Sequence, residues 1–117
     1  MKLIVDLENI NMASINQKYI NKSFVLSKEY RNFKDAVSFS CKAHIHEKEI
    51  DLLRKYKIAI EFSAYCDIDA PIKPILDGIF RPGIIDADDR QVLELEIIKK
   101  PLKRGSLGSL QVYIEEI

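Results

Sequence analysis

Tyr56-Lys57-Ile58-Ala59-Ile60-Glu61-Phe62-Ser63-Ala64-Tyr65 is the stretch on which the fold turns. Tyr56, Ile58, Ile60, Phe62 and Ala64 alternate with Lys57, Ala59, Glu61, Ser63 and Tyr65. A two-residue period is the signature of a β-strand, because successive side chains point to opposite faces. Two further strands lie downstream. Residues 91–99 set Leu93, Leu95 and Ile97 opposite Glu94 and Glu96, and Leu110, Val112 and Ile114 alternate near the end. Between them, Pro101 to Gly108 is a basic, glycine-containing connection, so the last two strands are expected to form a hairpin. Residues 1–6 predict a short first strand.

The helical signals fall between these strands. Ser27 predicts the cap of a helix reaching about His44, with Tyr30, Phe33, Ala36, Val37, Ser40 and Cys41 on one face. A shorter helix is expected after Asp69, reaching about Phe80, before the turn Arg81-Pro82-Gly83. Pro71 suits its start. Pro74 does not suit an interior, so the helix begins late or with an irregular first turn. Residues 7–26, rich in Asn, predict a long loop, and 47–54 are ambiguous between a helical turn and a linker. The fold class is α+β: a small mixed sheet with two main helices packed on it.

The 117 residues fit one domain, 1–117. A hydrophobic content of 47% allows a core, and 31% charged residues make an ordinary aqueous surface. No apolar run approaches the roughly 20 residues that span a bilayer. Met1-Lys2-Leu3-Ile4-Val5-Asp6 turns acidic too soon for a signal peptide. Cys41 and Cys66 form neither a CxxC pair nor a disulfide framework. The expectation is a cytoplasmic protein with no membrane partner.

Net charge is zero, but it is unevenly spread. Segment 67–89 holds Asp67, Asp69, Asp77, Asp86, Asp88 and Asp89 against Lys73 and Arg81, a balance of −4, and the remainder carries +4. Crowded carboxylates repel one another unless a positive group sits among them. A hard divalent cation answers that need, since Mg²⁺ and Mn²⁺ prefer oxygen ligands. In phosphodiester hydrolysis such an ion activates water and stabilises phosphate oxygens. Asp67 and Asp69, one residue apart at the exit of a strand, point to the same side. Asp69, Lys73 and Asp77 are spaced four apart, as on one helix face, and Asp69 is also placed to cap that helix. The strand after Asp88-Asp89 is expected to return the chain beside Asp67 and Asp69. Asp-rich turns also arise from simple turn chemistry, because Asp bonds its own backbone.

The blocks Asp67-Ile-Asp69-Ala70-Pro71-Ile72-Lys73-Pro74-Ile75-Leu76-Asp77-Gly78-Ile79 and Asp88-Asp89-Arg90-Gln91-Val92 resemble the signature of the RusA-type endodeoxyribonucleases, Holliday-junction resolvases common in prophages. That signature has Asp-x-Asp, a lysine four residues on, a further Asp, and Asp-Asp-x-Gln-Val before a strand. Ser14-Ile15-Asn16 with Tyr19 looks like the family's Pro-Ser-x-Asn loop, and Ser27 to Val37 like its first helix. The sequence departs from the pattern at Ala70, where Asn is usual, and at Pro71 and Pro74. Ser63-Ala64-Tyr65-Cys66 stands where the family often has a basic run.

The resemblance implies a homodimer with one Mg²⁺ site per subunit, Mn²⁺ substituting, that resolves four-way DNA junctions by paired symmetric nicks in recombination and repair. By position, Asp67, Asp69 and Asp89 would be catalytic metal ligands, Asp88 a supporting acid and Lys73 the essential lysine. Asn16, Lys18, Tyr19, Lys22, Lys28 and Arg31 around the Asn-rich loop are the candidate DNA contacts. So are Lys103 and Arg104, with Lys99 and Lys100, around the late turn. Two alternatives stand beside this reading: a non-catalytic dimeric DNA-binding module, and a nuclease for other branched DNA.

Overall fold

Among the described residues, four strands and two helices follow in the order β1 (Lys2–Ile10), α1 (Lys28–His44), β2 (Tyr56–Ser63), α2 (Ile72–Ile79), β3 (Val92–Lys100) and β4 (Gly108–Glu116). A single 3-10 turn, Asp89–Gln91, leads into β3. This computed structural model describes residues 1–10, 28–45, 54–64, 66, 68–85, 89–103 and 105–117, with Asp89 described by its backbone alone. The expected α+β class is what the chain adopts, as one four-stranded mixed sheet with two helices.

Strand order is β1-β4-β2-β3. β4 is antiparallel to both β1 and β2, and β2 is parallel to β3. β2 takes the interior because it has the most apolar surface to bury. Ile58, Ile60 and Phe62 face Ile114, Val112 and Leu110 across β4, and all six are buried. Removing a side chain of this size from water contributes about 1.5–3 kcal/mol. Both helices contribute to the same core: Tyr30, Phe33, Val37 and Cys41 from α1, Ile75 and Ile79 from α2.

The expected terminal hairpin does not form. β3 and β4 lie on opposite sides of β2, so the connection 101–107 crosses the end of β2 instead of turning back on itself. Gly108 marks that crossing: a Cβ there would stand 1.7 Å from the Ser63 carbonyl oxygen. β3 becomes an edge, and Leu93 and Leu95 are 61% and 42% exposed although their alternation predicted an ordinary half-buried strand.

β1 also runs past its expected end at residue 6. It reaches Ile10 through a register shift after Leu7, and Asn9 there adopts a positive φ of 55°. A second shift between Leu3 and Val5 buries both Ile4 and Val5. Consecutive buried residues break the period of two inside residues 1–6, although that stretch still reads as a strand. α2 does begin late. Pro71 is its N-cap, and Pro74 falls in the first turn, where a backbone N–H has no intrahelical acceptor.

α1 and α2 approach closely at Gly78. A Cβ there would lie 2.9 Å from the Lys34 carbonyl oxygen and 3.1 Å from Val37 Cγ1. The Ser38 hydroxyl, buried at this contact, donates to the Gly78 carbonyl at 2.7 Å. Arg81 Nη1 donates to Ser38 Oγ at 3.1 Å and to Asp35 Oδ1 at 3.2 Å. This contact explains why Ser38, outside the predicted helix face, is buried while Ala36 and Ser40 are only partly so.

Two predictions follow from this packing. Gly78→Ala gains helix propensity but must push α1 away, and a net loss of about 1–3 kcal/mol is expected in urea denaturation. Gly108→Ala, aimed at backbone rather than a movable side chain, is expected to cost more. The second concerns Cys41, fully buried and pushed by burial from its ordinary 9.0 to about 12. Its neutral thiol favours the fold fully below pH 9.0, and that contribution disappears as pH rises towards 12. Wild type should lose up to about 1.4 kcal/mol per pH unit in that range, and Cys41→Ala should flatten the pH dependence of the denaturation midpoint.

Candidate metal centre and nucleic-acid interface

Parallel pairing of β2 with β3 decides what lies near what. Tyr56 is opposite Val92 at one end, and Ser63 is opposite Lys100 at the other. The chain leaves β2 after Ser63, passes buried Ala64 and Cys66, and reaches exposed Asp69 before α2. Lys99 and Lys100 close β3 at this same end, and Lys103 follows in an exposed connection. Acidic loop and late basic turn, far apart in sequence, therefore share the carboxyl end of a parallel strand pair. Crevices outside the carboxyl ends of parallel strands are the usual ligand sites of α/β sheets.

One contact fastens the two segments. Lys99 Nζ donates to the carbonyl oxygen of Cys66, the residue before Asp67. Lys99 is opposite Phe62, so its side chain leaves β3 on the helix-covered face and reaches over the exit of β2. No local pattern marks this lysine. Its place follows from strand register, and the sequence singles it out only as one of several bases near a turn.

Lys73 and Asp77 lie on one face of α2, as their spacing predicts, with Nζ and Oδ1 3.2 Å apart. Asp69 is not on that helix and does not cap it with its side chain. Only its carbonyl takes part, accepting from Ile72 N at 3.3 Å.

Asp89 is elsewhere. Its backbone belongs to the 3-10 turn that precedes Val92, at the Tyr56 end of the pair. Gln91 Nε2 donates to the Arg54 carbonyl at 2.9 Å and ties this turn to the start of β2. Seven steps along β2 separate the two ends, on the order of 23 Å at about 3.3 Å per residue. The expected return of the chain to Asp67 and Asp69 requires β2 and β3 to be antiparallel, and they are parallel. Among the described residues no group of three His, Cys, Asp or Glu side chains is gathered as a metal site. Asp67 and Asp88 lie outside the described residues, as do Asn16, Lys18, Tyr19, Lys22 and Arg104. Asp69 has the oxygen donor that a hard cation prefers, and the backbone of Asp89 stands at the other end of the β2–β3 pair.

The sequence matches no model of a known protein family and no curated protein. The resemblance therefore rests on the quoted residues alone.

Electrostatics divides the surface. The sheet face away from the helices carries Glu61, Glu94, Glu96 and Glu115 around Lys57. Glu96, bonded to Lys57 Nζ at 3.1 Å, holds that ammonium's pKa above its ordinary value, helped by Glu94 and Glu115. Such a face repels phosphate. Lys28 and Arg31 are exposed on the first turn of α1, and Lys99, Lys100 and Lys103 gather at the end of β3. No helix among the described residues is long and apolar enough to cross a membrane.

The Lys73–Asp77 pair lies at the surface, with 62% of the lysine side chain and 32% of the aspartate side chain accessible. Asp77→Asn should therefore lower stability by no more than about 0.5 kcal/mol, measured by chemical denaturation. A larger loss would assign Asp77 a structural role.

Proposed function

We propose that this protein is a metal-dependent endodeoxyribonuclease acting on branched DNA, four-way junctions first, as a homodimer whose sites are shared between two copies. One observation carries the reading: the acidic loop at Asp69 lies at the same end of the β2–β3 pair as Lys99, Lys100 and Lys103, and Lys99 is bonded to it through the Cys66 carbonyl. Carboxylates beside lysines suit a site that must take both a cation and a phosphate. Lysines at the rim neutralise backbone charge, the sequence-independent part of DNA affinity.

Sharing between copies is supported by the separation of Asp69 from Asp89 and by the chemistry of β3. This strand is an edge with Leu93, Leu95 and Ile98 exposed. Open apolar edges invite pairing with another strand. Its charges suit an antiparallel pairing with itself: acids Glu94 and Glu96 come first and bases Lys99 and Lys100 last. About a two-fold axis at Ile97, Glu94 faces Lys100 of the partner subunit, whereas parallel pairing opposes like charges. The same axis carries Asp89 of the partner subunit towards the Asp67–Asp69 end. Asp67 and Asp69, with Asp88 and Asp89 of the partner subunit, would then hold Mg²⁺ or Mn²⁺. The ion, when bound, supplies Lewis acidity for phosphodiester hydrolysis. Lys73 and the lysines of β3 hold and orient the phosphates.

A second reading, a dimeric DNA-binding module without turnover, is favoured by the same separation of acids within one chain. It predicts junction binding with no Mn²⁺ uptake in a calorimetric titration.

Complementation tests the shared site. Asp67→Asn and Asp89→Asn should each reduce Mg²⁺-dependent junction cleavage by more than about a hundredfold, beyond the usual effect of residues behind a metal's ligands. Co-expressed, the two variants form heterodimers that carry one intact shared site, so single nicks should reappear. If the mixed protein stays as inactive as its parents, the acids act within one chain or not at all. Cleavage retained by either purified variant would remove that residue from the metal centre.

A further inference from the structure

We infer that the cleft between α1 and the turn after α2 binds one unpaired nucleotide of a DNA strand, its base stacked on Phe39 and its phosphate held by Arg81 and Lys42. The cleft has a volume of about 390 Å³ and is lined by Asp35, Ser38, Phe39 and Lys42 from α1 and by residues 81–84. A space of this order suits a small organic group. That branched DNA supplies the strand rests on the proposed function, while the chemistry of the cleft does not. Arg81 is held in place from two sides. Ile84 N donates to the Arg81 carbonyl at 3.0 Å and closes a turn, in which Gly83 takes the positive φ, 86°, that a type II turn requires after its proline. The guanidinium uses only Nη1 within the chain, for Ser38 Oγ and Asp35 Oδ1. Ser38 is itself buried and fixed to the Gly78 carbonyl. Nε and Nη2 meet no acceptor among the described residues. That edge of a guanidinium presents two parallel N–H groups, the fork that takes two oxygens of one phosphate. Lys42 adds a second cation, so two positive charges in the cleft meet one acid, Asp35.

Phe39 supplies the other half of the site. Its ring is 77% exposed, on a helix that already buries Tyr30, Phe33, Val37 and Cys41 on its opposite side. Lys28, Arg31, Asp35, Phe39 and Lys42 recur every three or four residues, so they form one exposed stripe along α1. From Lys28 to Lys42 the stripe runs about 21 Å at 1.5 Å per residue. An open aromatic ring among cations is a stacking platform for single-stranded nucleic acid, because every base has a π-face and phosphates flank it. Lys28 and Arg31 continue the positive charge on one side of the ring, as a sugar-phosphate backbone leaving the cleft requires. An acidic peptide would suit the cations equally but gives the ring no flat partner.

The experiment is fluorescence anisotropy of a labelled single-stranded oligothymidylate in EDTA, so that neither cleavage nor a metal enters the measurement. Wild type is compared with Phe39→Ala, Phe39→Leu, Arg81→Lys, Lys42→Gln and Lys55→Gln, the last removing one exposed charge just before β2. Both Phe39 variants should weaken binding about tenfold, the scale of one lost base stack. Arg81→Lys keeps the charge but loses the fork, and about a tenfold loss is expected for one charge-assisted bond. Lys42→Gln should weaken binding more than Lys55→Gln does. Because Phe39 lies outside the core, its variants should keep the wild-type denaturation midpoint and judge the inference even where Arg81→Lys disturbs the fold. Wild-type affinity in both Phe39 variants would overturn the inference. Equal losses in Lys42→Gln and Lys55→Gln would overturn it in favour of diffuse charge, and displacement of the oligonucleotide by a glutamate-rich peptide would overturn it in favour of a protein partner. A wild type that binds no single strand yet cuts junctions with Mg²⁺ would remove the cleft and leave the nuclease standing. Binding that depends on Phe39 and Arg81, in a protein that cuts no junction, would support the cleft and sink the nuclease.

Discussion

Hydrogen bonding of β2 on both of its edges is the constraint from which the rest of this architecture follows. Antiparallel β4 on one side and parallel β3 on the other leave Ile58, Ile60 and Phe62 in the middle of the sheet, under both helices. The parallel half of that arrangement requires a crossover, because a parallel neighbour cannot be reached by a tight turn. α2 is that crossover. It sets where the acidic loop leaves the sheet and where Asp89 returns to it.

Much of this could be read from the residues themselves. Alternation announced β2 and β4, the spacing of Tyr30, Phe33, Val37 and Cys41 announced α1, and the two prolines announced the late start of α2. Strand order could not be read, because pairing is a long-range choice. Leu93, Leu95 and Ile97 alternate as a half-buried strand would, and nothing local says that β3 is an edge among the described residues. β1 was hidden beyond residue 6 for a different reason: its register shifts between Leu7 and Ile10, where Asn9 takes a positive φ. Of the site, Lys73 and Asp77 were legible as a pair on one helical turn. Lys99 was not, since only the register opposite Phe62 carries it to Cys66.

The acids show where motif and topology part company. Spacing along a chain fixes the order of Asp67, Asp69 and Asp89 but not the direction in which the strands between them run. A parallel crossover turns neighbours in a motif into opposite ends of a sheet. It also brings Lys99, Lys100 and Lys103 to the end of the sheet where Asp69 lies, a gathering that charge counts had dispersed over two loops. The acidic face around Lys57 contrasts with the lysines gathered at the end of β3.

One feature of the strand order bears on how the fold is acquired. β4 comes last among the strands and is inserted between β1 and β2, which do not touch each other. During synthesis, β1 and β2 therefore emerge with no bridge between them, and their inner edges wait for residues 108–116. Before β4 arrives, β1 is joined to the β2-α2-β3 unit through α1, which packs against both β1 and α2. Completion of the sheet is thus a late, long-range event, closed by one strand fitting into a slot with Gly108 at its mouth, and such topologies fold slowly for the chain entropy they must first surrender.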